Sequence, residues 1–215
     1  MWPKGDAATS MAIGLWLLIF IQAYLLGSIS WSYIMVRAAG GRDLRREGSG
    51  NLGALNAGRS LGWRFFVLTF LLDAGKGALA VVVAHSWTGL GWPPSPHWAF
   101  LAYAVTALAT LGVILGHDFS IFLRFSGGKG LAAGVGALLV TDLWLAAAVL
   151  LAGAAGLAVT RNIYLSAVVA AILLPALAAA HGMGVGTTVL YALVAIVVVF
   201  RHRRNLRELR DCPTG

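Results

Sequence analysis

Residues Gly40–Trp63, reading GGRDLRREGSGNLGALNAGRSLGW, hold the densest set of groups able to bind an anion. Seven glycines sit among Arg42, Arg45, Arg46 and Arg59, with Ser49, Asn51 and Asn56 between them. Glycine lets backbone N–H groups converge on a ligand, and arginine offers a planar, permanently charged fork that matches phosphate. The spacing is not the G-x-x-x-x-G-K-[ST] of the P-loop, so a phosphate cradle of another kind is expected. The blander alternative is a flexible basic loop between two membrane helices.

Three further constellations carry polar chemistry. Phe125-Ser126-Gly127-Gly128-Lys129-Gly130 opens a helix, so backbone amides, the helix dipole and an ammonium could act on one anion; alone, it reads as readily as a glycine-rich helix start with a snorkelling lysine. Arg201-His202-Arg203-Arg204-Asn205 ends an apolar run, where a plain basic flank is the competing explanation. His202 and Asn205 are three apart and share a helix face, with the arginines expected at lipid headgroups. Asp73 and Lys76, also three apart, lie inside an apolar span, where charges pair or line a cavity; a structural ion pair is at least as good a reading as a catalytic one. His85, His97 and His181 read as interfacial side chains. No His, Cys, Asp and Glu cluster has metal-ligand spacing, no Ser-His-Asp arrangement is legible, and the single Cys212 has no internal disulfide partner.

These groups must be held by membrane helices. Of the 215 residues, 59% are hydrophobic and 11% charged, against roughly 25% charged in a soluble domain. One membrane-embedded domain spanning 1–215 is the expected organisation. The net charge of +8 could suggest nucleic acid, but the basic residues fall in short loops between apolar runs, as the positive-inside rule requires. Spans are expected over Met11–Val36, Trp63–His85, His97–Gly116, Ile163–Ala180 and Val185–Phe200. Leu131–Thr160 is either one overlong helix or two short ones hinged near Thr141–Asp142. Arg37–Arg64 carries six basic residues and Arg201–Arg210 five arginines, whereas Ser86–His97 and His181–Thr188 carry no Lys or Arg. Placing the basic loops in the cytoplasm puts the N-terminus outside and the C-terminus inside. Arg161 then belongs inside too, which requires Leu131–Thr160 to cross twice. The expectation is an all-α protein of seven transmembrane helices, the fourth and fifth short and packed through Gly and Ala.

The motifs taken together resemble a family. G-S-I (Gly27–Ile29), D-L-R (Asp43–Arg45), G-S-G-N-x-G-A-x-N (Gly48–Asn56) with Arg59, L-D-x-x-K-G (Leu72–Gly77), G-H (Gly116–His117), F-x-G-G-K-G (Phe125–Gly130) and R-H-R-x-N (Arg201–Asn205) are similar, in order, to those of the acyl-phosphate:glycerol-3-phosphate acyltransferases of the PlsY type. The resemblance covers nearly the whole chain. It implies a seven-helix enzyme of the bacterial inner membrane with its active site on the cytoplasmic side. The reaction it implies moves a fatty acyl group from acyl phosphate to the 1-hydroxyl of glycerol 3-phosphate, giving lysophosphatidic acid. By matching position it makes Ser49, Arg59, Lys129, His202 and Asn205 the catalytic set. Gly48, Gly50, Asn51, Gly53 and Asn56, with Gly127, Gly128 and Gly130, become phosphate loops, and Arg45, Lys76 and His117 are further candidates. It implies no metal, no cofactor and no nucleic acid partner, only the two substrates and membrane lipid, and the donor's leaving phosphate as the acceptor of the hydroxyl proton.

The chain departs from the family pattern at five places. Arg204 replaces a glutamate, Ser126 a lysine, and Ala133 and Leu55 threonines, while Tyr164 stands in a stretch whose serines are displaced. These changes leave open a divergent paralogue with another phosphorylated acceptor or none. A transporter of organic phosphate would also use cytoplasmic anion sites, although no inverted repeat is visible.

Overall fold

A computed structural model describes residues 6–89 and 98–211, with side chains described over 10–89 and 98–207. Among the described residues the chain forms nine helices: α1 (Asp6–Gly27), α2 (Trp31–Gly40), α3 (Ala54–Leu61), α4 (Trp63–Thr88), α5 (Ala99–Asp118), α6 (Leu131–Leu139), α7 (Leu143–Thr160), α8 (Ile163–Ala180) and α9 (Val185–Asp211). Six stretches are long and apolar enough to cross a membrane: 10–40, α4, α5, α7, α8 and 185–207. Their outward faces are apolar, as at Leu143, Leu151 and Val159, which are 70%, 69% and 84% exposed. Exposed apolar area on that scale needs a partner, and for a bundle of this composition the partner is lipid.

The continuous first span expected over Met11–Val36 is broken at Ser28–Ser30. The break turns α2 away from α1, and Ser30 caps the new helix by accepting from the Tyr33 N–H. A break inside a membrane frees backbone carbonyls, each costly in hydrocarbon. Lys76 Nζ takes the carbonyls of Gly27 and Ile29 at 2.9 and 2.7 Å, and Ser120 Oγ donates to that of Ser28 at 2.6 Å.

Helix α5 is the axis of the bundle and packs on α1, α4, α6 and α9. Small residues set the distances. Gly112 and Gly116, one turn apart on α5, lie against α1 so closely that a Cβ at Gly116 would meet the Tyr24 carbonyl oxygen at 2.0 Å. A Cβ at Gly77 of α4, or at Gly136 of α6, would come within 1.9 Å of the facing backbone of Ala133 or Ala74. This is small-residue packing of membrane helices, in which backbone meets backbone.

Leu131–Thr160 does divide near Thr141–Asp142, where Asp142 caps α7 by accepting from the Leu145 N–H at 2.8 Å. The two halves are unequal, however. Helix α6 has nine residues and α7 eighteen, about 14 and 27 Å at 1.5 Å per residue. Only the fourth helix is short, and the fifth is a full span. Asp142 also pairs with His181 Nε2 at 2.9 Å, joining the α6–α7 corner to the α8–α9 turn. His181 stacks on Trp144 with ring centroids 4.6 Å apart. His85 is not interfacial: it is buried and meets Thr106 Oγ1 at 3.0 Å between α4 and α5. His97 and Cys212 lie outside the described residues.

Candidate active site

The first polar stretch is a folded unit rather than a flexible loop. Val36, Leu44, Leu52 and Ala57 form a small buried core beneath it. Buried Asn56 is its organiser: Nδ2 donates to the Glu47 carbonyl at 3.0 Å and the Leu44 carbonyl at 3.4 Å, and Oδ1 accepts from the Ser49 N–H at 3.2 Å. Gly48 and Gly50 adopt positive φ of 53° and 67°, which turns the chain tightly over that amide. Asp43 caps the 3₁₀ turn Leu44–Arg46. The Arg45 guanidinium bonded to its carboxylate holds that carboxyl down to about 2. Arg45 therefore faces Asp43, not the cavity.

The second stretch leaves α5 and enters α6. Arg201 of α9 holds it from behind, its guanidinium donating to the Gly127 carbonyl at 3.1 Å and the Gly128 carbonyl at 2.8 Å. The Gly128 N–H donates to the His117 carbonyl at 2.9 Å, so that amide supports the loop instead of facing a ligand. Gly130 and the first residues of α6 line the cavity, where the positive end of the helix dipole favours negative charge. Lys129 projects forward. Its ammonium donates to Asn205 Oδ1 and stands 4.0 Å from the centroid of the Tyr164 ring.

The third contribution comes from α9. His202 is fully buried, with Nδ1 2.8 Å from the Val198 carbonyl oxygen. A carbonyl can only accept, so Nδ1 carries the proton and Nε2 of the neutral ring is a bare lone pair. That Nε2 is buried with no hydrogen-bond partner among the described residues.

Two cavities meet where these three segments converge. One, of about 140 Å³, is lined by Ser49, Asn51, Gly53, Leu55, Asn56, Phe66, Phe70, Asp73, His117, Lys129, Gly130, Tyr164 and His202, with four further residues of α3, α6 and α8. The other is a wide polar mouth of about 720 Å³, bounded by Ser49, Gly50, Asn51, Ser126, Gly127, Lys129, Arg201, Asn205 and three more arginines, Arg203, Arg204 and Arg207. Ser49, Asn51 and Lys129 line both. A polar mouth leading to a narrow, partly apolar pocket can take a phosphate at the rim and a hydrocarbon chain beyond it.

The structure thus brings Ser49, Lys129, His202 and Asn205 together, with Gly50, Asn51, Gly53, Asn56, Gly127 and Gly130. Gly48 and Gly128 lie behind the lining. Arg59 is exposed on α3 and lines neither cavity, although it sits four residues from cavity-lining Leu55 and shares its helix face. Lys76 is occupied three times over, by the two carbonyls and by Asp73 at 2.9 Å, which uses every proton of an ammonium. Arg204, expected to face lipid, borders the mouth instead. Sequence reasoning did not single out Tyr164 or Asp73 as lining groups, nor Arg201 as the clamp on the glycine loop. Asp73 left a signal, an intramembrane carboxylate, while Tyr164 and Arg201 left none that separates them from lipid-facing neighbours.

The profile of a family described as glycerol-3-phosphate acyltransferase matches residues 17–211. A glycerol-3-phosphate acyltransferase of Aromatoleum aromaticum is 38% identical over 195 residues, covering 91% of this chain and 93% of that protein. One from Thiobacillus denitrificans is 40% identical, covering 90% and 92%. Among solved structures, PlsY (YgiH), an integral membrane glycerol 3-phosphate acyltransferase, superposes in its glycerol 3-phosphate form with a TM-score of 0.78. That match is at 30% identity over 91% of this chain and 92% of that one.

Proposed function

The chain belongs to the glycerol-3-phosphate acyltransferase family, and from that premise we propose how its residues carry out acyl transfer from an acyl phosphate. The observation that carries the reading is the convergence of three anion-binding segments, 49–56, 127–130 and 201–205, on joined cavities. Two phosphorylated substrates need two sets of donors, and an acyl phosphate is already activated, so positioning and charge neutralisation supply much of the rate.

Lys129, the α6 N-terminus and the amides around Ser49 and Asn51 hold the phosphoryl groups. Arg59, with no partner among the described residues, closes on a bound phosphate from α3. Asn205 fixes the Lys129 ammonium. The acyl chain occupies the apolar side of the inner cavity, along Leu55, Phe66, Phe70 and Ile163. The buried Nε2 of His202 accepts from the 1-hydroxyl of glycerol 3-phosphate and aims its oxygen at the acyl carbon. That oxygen bonds to the carbon, the carbon–oxygen bond to phosphate breaks, and the phosphate leaves with the electron pair. The hydroxyl proton ends on the departing phosphate. The products are lysophosphatidic acid and inorganic phosphate.

The protein is an integral membrane enzyme. We read it further as a seven-crossing protein of the bacterial inner membrane, N-terminus outside, with the site and C-terminus on the cytoplasmic side. Loop charge supports this. The length of α7 is consistent with it: its eighteen residues put Asp142, paired with His181, about 27 Å from the Tyr164 end that Lys129 meets.

Purified protein given palmitoyl phosphate and glycerol 3-phosphate should release inorganic phosphate and lysophosphatidic acid in equal amounts. Product from palmitoyl-coenzyme A but not from palmitoyl phosphate would refute the choice of donor. Accumulation of glycerol 3-phosphate in vesicles without acyl transfer would favour a transporter.

A further inference from the structure

Two lysines lie at the polar end of the bundle, and what faces each ammonium decides its use. Lys76 meets a carboxylate, Asp73 Oδ1 at 2.9 Å, which offsets its charge. Lys129 meets an aromatic face, its Nζ 4.0 Å from the centroid of the Tyr164 ring. Resting on Lys129 as a phosphate-binding cation, we propose that Tyr164 is a positioning residue for acyl transfer. Its ring holds the Lys129 ammonium at the site without neutralising it.

The need is physical. A lysine is a compact charge on a flexible four-carbon stem, so an ammonium that must meet a phosphate at one place has to be held there. Asn205 Oδ1 accepts from it on the α9 side. The second partner must attract a cation and yet leave its charge for the substrate. A carboxylate fails the second requirement and an alkyl side chain the first. The negative face of an aromatic ring meets both. At 4.0 Å the ammonium is well inside the roughly 6 Å over which that attraction counts.

The ring is itself anchored. Tyr164 is the second residue of α8, and Asn162 caps that helix by accepting from the Tyr164 and Leu165 N–H groups at 2.9 and 3.1 Å. The ring also stands 6.2 Å from that of His202, tilted by 54°. Tyr164 lines the inner cavity, and Lys129 lines both cavities. The ring therefore belongs to the wall along which the acyl chain is placed, and a chain lying there excludes water from the pair. Cation–π attraction strengthens as water leaves, so filling the cavity with donor tightens the hold on the ammonium. Tyr164 is also one of the places at which the chain departs from the family pattern.

The test changes the charge distribution of the ring at nearly constant shape. Phenylalanine, and phenylalanine carrying one, two or three ring fluorines, are placed at residue 164 by nonsense suppression and assayed with palmitoyl phosphate and glycerol 3-phosphate. Tyr164→Phe should keep kcat/KM within about threefold of wild type, because a phenyl face still attracts the ammonium. Each added fluorine should then lower it stepwise, to about tenfold below the unfluorinated ring with three. Tyr164→Leu, which keeps apolar bulk and loses the face, should fall by about ten- to thirtyfold; should it fail to fold, the fluorinated rings, which fill the same space, carry the test. In a Lys129→Met background the same replacements should move the remaining rate by no more than about twofold. A rate indifferent to fluorine would overturn the proposal, and so would an equal fluorine dependence without Lys129, which is what a ring that merely walls the cavity produces. A loss in Tyr164→Phe as deep as that in Tyr164→Leu would also overturn it, since the hydroxyl would then be the active part. Lys129→Met turning over like wild type would sink the reading of Lys129 as a phosphate ligand, a different failure from indifference to fluorine.

Discussion

Lys129 and Asn205 meet across the site, the lysine from the turn before α6 and the asparagine from α9, 76 positions later. The contact orients the ammonium beside the Tyr164 ring, on the lining that the two cavities share. A lysine that merely snorkelled from a helix start would point to headgroups and have no use for such a partner.

The first prediction concerns charge at the phosphate. Lys129→Ala and Arg59→Ala should each lower kcat/KM by roughly ten- to hundredfold, since hydrogen bonds to charged groups contribute about 1.5–3 kcal/mol. Arg42→Ala is the control, because Arg42 is occupied by Glu47 at 3.1 Å and the Ser60 carbonyl at 3.3 Å. Steady-state kinetics that put all three variants at the same small loss would indicate a diffuse basic surface rather than a site.

Lys76 should behave oppositely, as a structural cation. Lys76→Met leaves Asp73 without its counter-charge and two carbonyls unmet, and breaking a buried pair typically costs about 3–5 kcal/mol. Melting of the detergent-purified variant should fall by many degrees or the protein should fail to accumulate. A variant that melts like wild type yet has lost turnover would instead put Lys76 in the chemistry.

Arg204 borders the mouth beside Arg203 and Arg207, so its field acts on incoming anions. Arg204→Glu should raise KM for glycerol 3-phosphate several-fold, weaken the dependence of kcat/KM on salt, and leave kcat within about twofold. A faster enzyme at every salt concentration would mean that this position limits catalysis and that the arginine is a handicap.

The last prediction is topological. With Cys212 replaced by serine, single cysteines at Ser86, Ser126 and Asn162 should differ in their access to an impermeant maleimide. Only the Ser86→Cys protein should label in intact cells, the other two after permeabilisation. Labelling of Asn162→Cys from outside would remove the seven-crossing arrangement and leave α6 as a re-entrant piece.

Much of this protein could be read from its residues in order. Apolar runs about 20 residues long can satisfy their own backbone only as membrane helices, so the all-helical membrane class and the rough bounds of most spans followed from composition. Glycine clusters with cationic neighbours marked the segments that line the two cavities, because few other residues let a backbone wrap closely around a site. What stayed hidden depended on contacts between distant elements. That Lys76 is spent on the carbonyls of Gly27 and Ile29 is invisible in a spacing of three from Asp73. The break that exposes those carbonyls falls at Gly27-Ser28-Ile29-Ser30, residues that an unbroken membrane helix also tolerates. Equally, nothing local told Arg201, which clamps the Gly127–Gly128 carbonyls, from Arg203 and Arg204 at the mouth. One turn of α9 presents the three in different directions, and only packing against α5 and the second glycine segment decides which direction is inward. Sequence sets what each residue can bind, whereas the tertiary fold sets which partners come within reach and so which of those capacities is already used up.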